Sequence, residues 1–101
     1  MIETLEKLLA GGRDDALLRF SLGNEYLKSE QFNKAADQYA HAVKHNPEYS
    51  AAWKQLGKAL SEDNRPDEAA VAWQQGIDVA ETTGDKQAAR EMAVFLKRLT
   101  K

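Results

Sequence analysis

Two histidines are the residues of this sequence whose spacing is best suited to metal chemistry. His41 and His45 lie four positions apart, which places both on one face of a helix, as in the zinc sites of some metalloproteases. The glutamate that follows the first histidine in such sites is replaced by Ala42, and the nearby sequence offers no third ligand. We therefore expect no metal site. Both histidines are expected to be exposed near the carboxyl end of a helix, where they interact favourably with the helix dipole.

Catalytic groups of other kinds are equally poorly supported. Adjacent acids occur at residues 14–15, 62–63 and 67–68, where helices are expected to begin or end, whereas general acid–base catalysis needs carboxylates that converge on a pocket. No serine or threonine has the histidine and acid of a nucleophilic triad, and the chain has no cysteine. Gly11-Gly12 lacks the lysine and hydroxyl residue of a phosphate-binding loop. The sequence predicts no enzyme and no cofactor.

Length and charge exclude further classes of function. A chain of 101 residues has the size of one domain. Its 14 basic and 16 acidic residues give a net charge of −2, which does not favour nucleic-acid binding. The apolar stretch at residues 2–10 is too short and too charged to be a signal peptide or a membrane span. The absence of cysteine fits a reducing compartment, so the predicted location is cytoplasmic.

Helices are the elements that must position any functional side chain here. Strong helix formers dominate the composition, and Pro47 and Pro66 are the only prolines. Apolar periodicity, together with stop and start residues, predicts six helices. Their predicted ranges are 2–10, 15–28, 32–45, 51–62, 66–82 and 85–100.

The sequence repeats with a period of 34 residues. A shift by this period aligns residues of matching size and type at seven positions, which is difficult to obtain by chance. The aligned pairs are Leu22-Gly23 with Leu56-Gly57, Tyr26 with Leu60, Phe32 with Pro66, Ala35 with Ala69, Tyr39 with Trp73, and Ala42 with Gly76.

This pattern resembles the tetratricopeptide repeat, a helix–turn–helix unit of the same length. Residues 16–49 and 50–83 carry its Leu-Gly pair, its aromatic positions and its small residues. Two positions depart from the pattern: Arg19 replaces the tryptophan of the first unit, and Glu81 replaces the proline of the second. The resemblance implies a small stand-alone protein with an all-α fold. We expect a right-handed α-solenoid of antiparallel helix pairs, formed as a single domain over 1–101. An N-terminal helix within 1–12 and a capping helix within 85–101 would flank the two repeats.

Several residues have a predicted structural role that does not depend on the resemblance. Glycine inside a helix costs about 1 kcal/mol relative to alanine, so Gly23 and Gly57 are expected where two helices approach closely. Ser50 is predicted to cap the amino end of the fourth helix. Pro66 suits the first turn of the fifth helix, and Gly84 followed by Asp85 predicts the end of that helix and the cap of the next.

The flanking helices fit the repeat less closely. Extending the frame backwards gives Leu5 and Leu8 the positions of Tyr39 and Ala42, so residues 2–10 are expected to form the truncated second helix of an earlier repeat. The last helix fits after a shift of two residues, with its apolar side chains directed inward. We interpret it as a polar-faced cap, with self-association through its broad apolar band as the alternative.

The resemblance implies that the chain binds another protein in a concave groove lined by the first helix of each pair. The predicted groove is apolar at one end and basic towards the other, which suits an acidic peptide or helix with a bulky apolar residue. The alternative is that Phe20 packs beneath the N-terminal helix and that the lysines are merely solvated. The site residues are Leu17, Phe20, Asn24, Lys28, Lys54, Gln55, Lys58 and Arg90.

A subclass of the family clamps a carboxylate with lysine, asparagine and arginine side chains. The corresponding positions here match outright only at Asn24 and approximately at Gln55, so such a clamp is not expected. The sequence leaves open whether the N-terminal helix stacks on the first repeat or occludes the groove, where Glu3 and Glu6 would face the lysines. It also leaves open whether the protein is a monomer or a weak homodimer. We predict neither a nucleic-acid nor a membrane partner.

Overall fold

The computed structural model describes residues 1–99 and consists, over that range, of six α-helices joined by short turns. The predicted helix bounds are confirmed to within one residue, apart from the predicted end at residue 100, which lies outside the described residues. No helix in this part of the chain has the length and hydropathy needed to cross a membrane. The helices are α1 (Ile2–Ala10), α2 (Ala16–Lys28), α3 (Phe32–His45), α4 (Ser50–Glu62), α5 (Pro66–Thr83) and α6 (Lys86–Leu99).

Local chemistry explains most of the helix ends. The Asp15 carboxylate accepts a 2.8 Å hydrogen bond from the Leu18 amide and caps α2. Pro66 opens α5, and Gly84 ends that helix in the left-handed conformation with φ of 84°. Asp85 accepts a bond from the Ala88 amide at 3.2 Å and so caps α6.

The predicted cap at Ser50 is wrong. Ser50 is the first residue of α4, the preceding residue is Tyr49, and that helix has no side-chain cap. The buried Ser50 hydroxyl instead donates to the Asp85 carboxylate at 2.7 Å. A carboxylate is a strong acceptor for the hydroxyl of a buried serine. The bond therefore joins Ser50, in the first turn of α4, to Asp85 at the start of α6.

The core follows the order of the helices along the chain. α2 packs with α3, α3 with α4, α4 with α5 and α5 with α6, which gives the elongated all-α, solenoid-like arrangement. Two aromatic residues fill the interior of the successive pairs: Tyr39 is fully buried and Trp73 is 5% exposed. Each ring lies against a helical glycine, Tyr39 on Gly23 and Trp73 on Gly57. The predicted close approach at both glycines is confirmed.

The N-terminal helix is the least embedded element. α1 packs on α2 through half-buried Ile2, Leu5 and Leu9, and none of its residues is fully buried. Leu8 has the repeat position of buried Ala42, but its side chain is 41% exposed. Ile2, Leu5 and Leu9 are spaced as i, i+3 and i+7, so they share the face of α1 that meets α2. Leu8 does not lie on that face.

Candidate functional site

Residues of α2 and α4 line one cavity, and Lys54 of α4 pairs with Glu91 of α6. We call the exposed sides of these three helices the groove face. At its α2 end lies a cavity of about 530 Å³ that combines residues from α1, α2 and α4. Four of the eight predicted site residues line it: Phe20, Asn24, Lys28 and Gln55. Leu5 of α1 and Met1, which precedes that helix, also line it.

The polar lining of this cavity comprises Ser21, the amides of Asn24 and Gln55, and the ion pair of Glu25 with Lys28. Buried Tyr39 lies behind the amides and bonds one of them. The Tyr39 hydroxyl donates to Asn24 Oδ1 at 2.6 Å. Burial raises the pKa of Tyr39 to about 12, an effect that a hydrogen bond from Gln55 partly opposes. Tyr39 is therefore a neutral donor at physiological pH. Asn24, whose oxygen is held by Tyr39, keeps its amide nitrogen as a donor on the groove face.

Phe20 supplies the apolar wall and is held in place by other rings. Its ring centroid lies 4.8 Å from that of Tyr49 and 5.8 Å from that of Tyr39, both tilted. The side chain is half-buried and not fully covered by α1. An apolar group entering the cavity would thus meet a rigid aromatic surface.

The basic residues of the groove face differ in how far they are already neutralised. Lys54 Nζ lies 3.2 Å from Glu91 Oε1 of α6, and this pair is part-buried. Lys28 pairs with Glu25 at 3.2 Å, although its side chain remains 76% exposed. Lys58 and Arg90 are exposed and form no ion pair within residues 1–99. Glu91 therefore already supplies a negative charge to Lys54, whereas Lys58 and Arg90 remain open to an acidic ligand.

The structure thus divides the predicted site. The cavity holds Phe20, Asn24, Lys28 and Gln55. Lys54, Lys58 and Arg90 lie outside it on α4 and α6, and Leu17, which is 58% exposed, does not line it either. Sequence reasoning missed the contribution of Met1 and Leu5. The apolar spacing of Ile2, Leu5 and Leu9 could have indicated an inward face, but not the surface it meets.

The N-terminal helix borders the groove face, and a side-chain hydrogen bond joins it to α2. The Tyr26 hydroxyl donates to the Glu6 carboxylate, and this bond raises the pKa of Tyr26 to about 12. In the described chain neither Glu3 nor Glu6 forms an ion pair with a groove lysine. α1 therefore forms a side wall of the cavity at the α2 end.

His45, one of the two histidines, belongs to a cluster of bonded side chains. His45 Nε2 lies 2.9 Å from Asp14 Oδ1, and Arg19 donates to both oxygens of the same carboxylate at 2.8 and 3.0 Å. Arg19 also donates to Gln38 at 3.0 Å, so the residue that replaces the repeat's tryptophan joins the turn before α2 to α3. These bonds, led by the one from Arg19, hold the pKa of Asp14 far below its ordinary value. Within residues 1–99 no three potential ligands are grouped for a metal ion.

Comparison with known proteins now defines the family. A model of the tetratricopeptide repeat matches residues 20–86. A TPR repeat-containing protein of Pseudomonas aeruginosa is 50% identical over 99 residues, which cover 98% of this chain and 94% of that protein. The chain belongs to the tetratricopeptide repeat family, and the predicted resemblance is confirmed.

Solved structures support the same fold. A protein from Bordetella parapertussis, known from its solution structure, is 43% identical with a TM-score of 0.84, over 99% of this chain and 87% of that one. The TPR domain of Sgt2 from Aspergillus fumigatus is 27% identical with a TM-score of 0.81, over 96% of this chain and 64% of that one. The peroxisomal targeting signal receptor of Pichia angusta is 32% identical over 59 residues, which are 58% of this chain and 10% of that receptor. The family and fold are typical of protein-interaction modules without catalytic activity.

Proposed function

We propose that the chain is a non-catalytic binding module that holds a peptide or helix of another protein on its groove face. The observation that carries the proposal is the cavity of about 530 Å³, because it combines an aromatic wall and two amides from separate helices with the ion pair of Lys28 and Glu25. Such a mixture of apolar surface and a few oriented polar groups is typical of ligand sites. A cytoplasmic location stays a prediction from the cysteine-free sequence.

The proposed ligand has a bulky apolar side chain near one or more acidic groups. The apolar side chain would contact Phe20 and Leu5 in the cavity, where Asn24 and Gln55 could bond the ligand backbone. Acidic groups would meet exposed Lys58 and the α6 residue Arg90. One relative is by name a receptor for a targeting signal, and its similarity to this chain is consistent with a peptide ligand.

A peptide selection tests this proposal and requires no candidate partner. Random peptides displayed on phage are selected on the immobilised protein, and the best binders are titrated against labelled protein by NMR. We expect acidic peptides with a bulky apolar residue, and shift changes centred on Phe20, Asn24 and Gln55. Selected peptides without acidic or apolar preference, or shifts confined to α3 and α5, would contradict the proposal.

Matched charge variants sharpen the test. Replacing Lys58→Glu and Arg90→Glu together changes two exposed side chains and should weaken the selected peptides about tenfold, since each exposed charge pair contributes about 0.2–1 kcal/mol. The control, Lys7→Glu with Lys44→Glu, makes the same change in net charge at exposed residues outside the cavity. Equal weakening by both double variants would show that only net charge matters.

Self-association through α6 is a second candidate, favoured by a separate observation. Val94 is 46% exposed, and Phe95 and Leu99 border a cavity of about 300 Å³ with Trp73 and Ser61. A dimer would cover this apolar surface. Sedimentation of the wild type and of Val94→Asp over a range of protein concentrations decides between dimer and monomer. A mass that rises with concentration in the wild type but stays at the monomer value in the variant supports the dimer. A constant monomer mass in the wild type excludes it.

A further inference from the structure

A second cavity lies in the layer formed by α3 and α5, away from the groove face. It has a volume of about 420 Å³ and opens between these two helices onto α4. Its apolar lining includes Ala40 of α3, Leu56 of α4 and Val71 of α5. Val71 is 65% exposed and lies beside Leu56 and Ala40, so the cavity presents contiguous apolar surface to solvent.

Carboxylates stand around this apolar floor. Asp37 projects from the α3 side, and Asp67 and Glu68 border it at the start of α5. Glu68 is neutralised by Arg65, which donates to both of its oxygens at 2.7 and 2.8 Å. Asp37 and Asp67 form no ion pair in the described chain. Two unpaired acids on different walls therefore face one apolar opening.

The charge of the surrounding helix has the same sign. α5 carries the four acidic residues Asp67, Glu68, Asp78 and Glu81 and no basic residue. α6, by contrast, carries four basic residues and one acid, and the groove face holds the exposed cations Lys58 and Arg90. α3 adds Lys34 and Lys44 to one acid, so the layer of α3 and α5 stays acidic in sum. The two surfaces of the molecule thus differ in charge, which favours ligands of opposite charge on each.

We propose that the cavity between α3 and α5 is a second docking surface, which takes a basic segment of another protein with a bulky aliphatic side chain. The aliphatic group would contact Leu56 and Val71, and flanking lysines or arginines would meet Asp37 and Asp67. The charge of the rim selects this ligand, because burying an apolar group beside two unpaired carboxylates is most favourable when cations accompany it. The module then binds two partners of opposite charge on its two layers.

The test uses a defined probe: a fluorescein-labelled helical peptide in which two leucines, one turn apart, are flanked by lysines. Its binding is followed by fluorescence polarisation, and NMR shift changes map the contact. Binding should weaken about fivefold when Asp37→Asn and Asp67→Asn are combined, because the double variant removes two partly exposed charge pairs with the probe. Val71→Asn should weaken it similarly, and shifts should centre on Ala40, Leu56 and Val71.

The matched control is Asp78→Asn with Glu81→Gln, which removes the same charge from α5 outside the cavity and should leave probe binding within about twofold of the wild type. A probe with serine in place of leucine should bind much more weakly. Equal loss in both double variants, or shifts on the groove face, would overturn the proposal. So would self-association that Val71→Asn abolishes in the absence of probe, because a second copy would then occupy the cavity.

Discussion

Replacing Gly57 by alanine tests the packing that defines the repeat. An ideal Cβ at this position would lie 2.2 Å from Trp73 Nε1 and 2.4 Å from its Cδ1, well inside contact distance. The indole cannot easily move, because Trp73 is only 5% exposed and its Nε1 donates to the Lys54 carbonyl at 3.1 Å. The glycine is required here by the ring and not by its backbone conformation, which is helical.

Two opposing effects set the size of the change. Alanine is favoured over glycine in a helix by about 1 kcal/mol. Overpacking costs about 1–3 kcal/mol, and loss of the indole hydrogen bond adds about 1 kcal/mol. The free energy of unfolding should therefore fall by about 2 kcal/mol, which is a large part of the roughly 5–15 kcal/mol of a typical domain.

Urea unfolding followed by circular dichroism measures this change, with Gln75→Ala as a control at an exposed helix position. The decisive comparison is Gly57→Ala in a Trp73→Leu background, where the smaller side chain leaves room for the new methyl group. There the alanine should be neutral or stabilising. A neutral effect in the wild type, or the same loss in both backgrounds, would refute the reasoning.

Three further substitutions test the contacts that join the elements. Ser50→Ala removes the bond to Asp85 and should lower the urea midpoint, with Ser61→Thr as a mild control; no change would show that the contact is dispensable. Asp14→Asn should destabilise at neutral pH and converge with the wild type as the pH falls below the carboxylate's ordinary pKa of 3.8, because a depressed native pKa gives stability that is lost on acidification. A constant difference between the two midpoints at all pH values would contradict this sign. Tyr26→Phe removes the bond to Glu6 and should speed amide hydrogen exchange in α1 with little effect on the other helices; equal acceleration throughout would show that α1 is not a separate unit.

Local signals made most of the fold predictable. Proline and glycine fix backbone geometry within a few residues, so Pro66 and Gly84 gave accurate ends for α5. The repeat added long-range information, because a glycine and an aromatic residue recur together at one period. The pairing of Gly57 with Trp73 is therefore visible in the sequence as a repetition of Gly23 with Tyr39.

The remaining features depend on contacts between distant residues, which no local pattern encodes. Ser50 has the chemistry of a helix cap, yet its hydroxyl bonds Asp85 because folding brings that stronger acceptor close. Arg19 breaks the repeat pattern, and only the structure shows that Asp14 is its partner. The cavity at Phe20 could not be predicted either, because it forms between α1, α2 and α4. Periodicity shows which side of α1 is apolar, but it does not show which surface that side contacts.

The structure of the protein in complex with a peptide selected by phage display tests the central claim most directly. The account predicts that the peptide lies along the groove face, with an apolar side chain against Phe20 between Asn24 and Gln55, and an acidic group within reach of Lys58 or Arg90. A selected peptide seated between α3 and α5, or on the apolar side of α6 with the groove face empty, would contradict it.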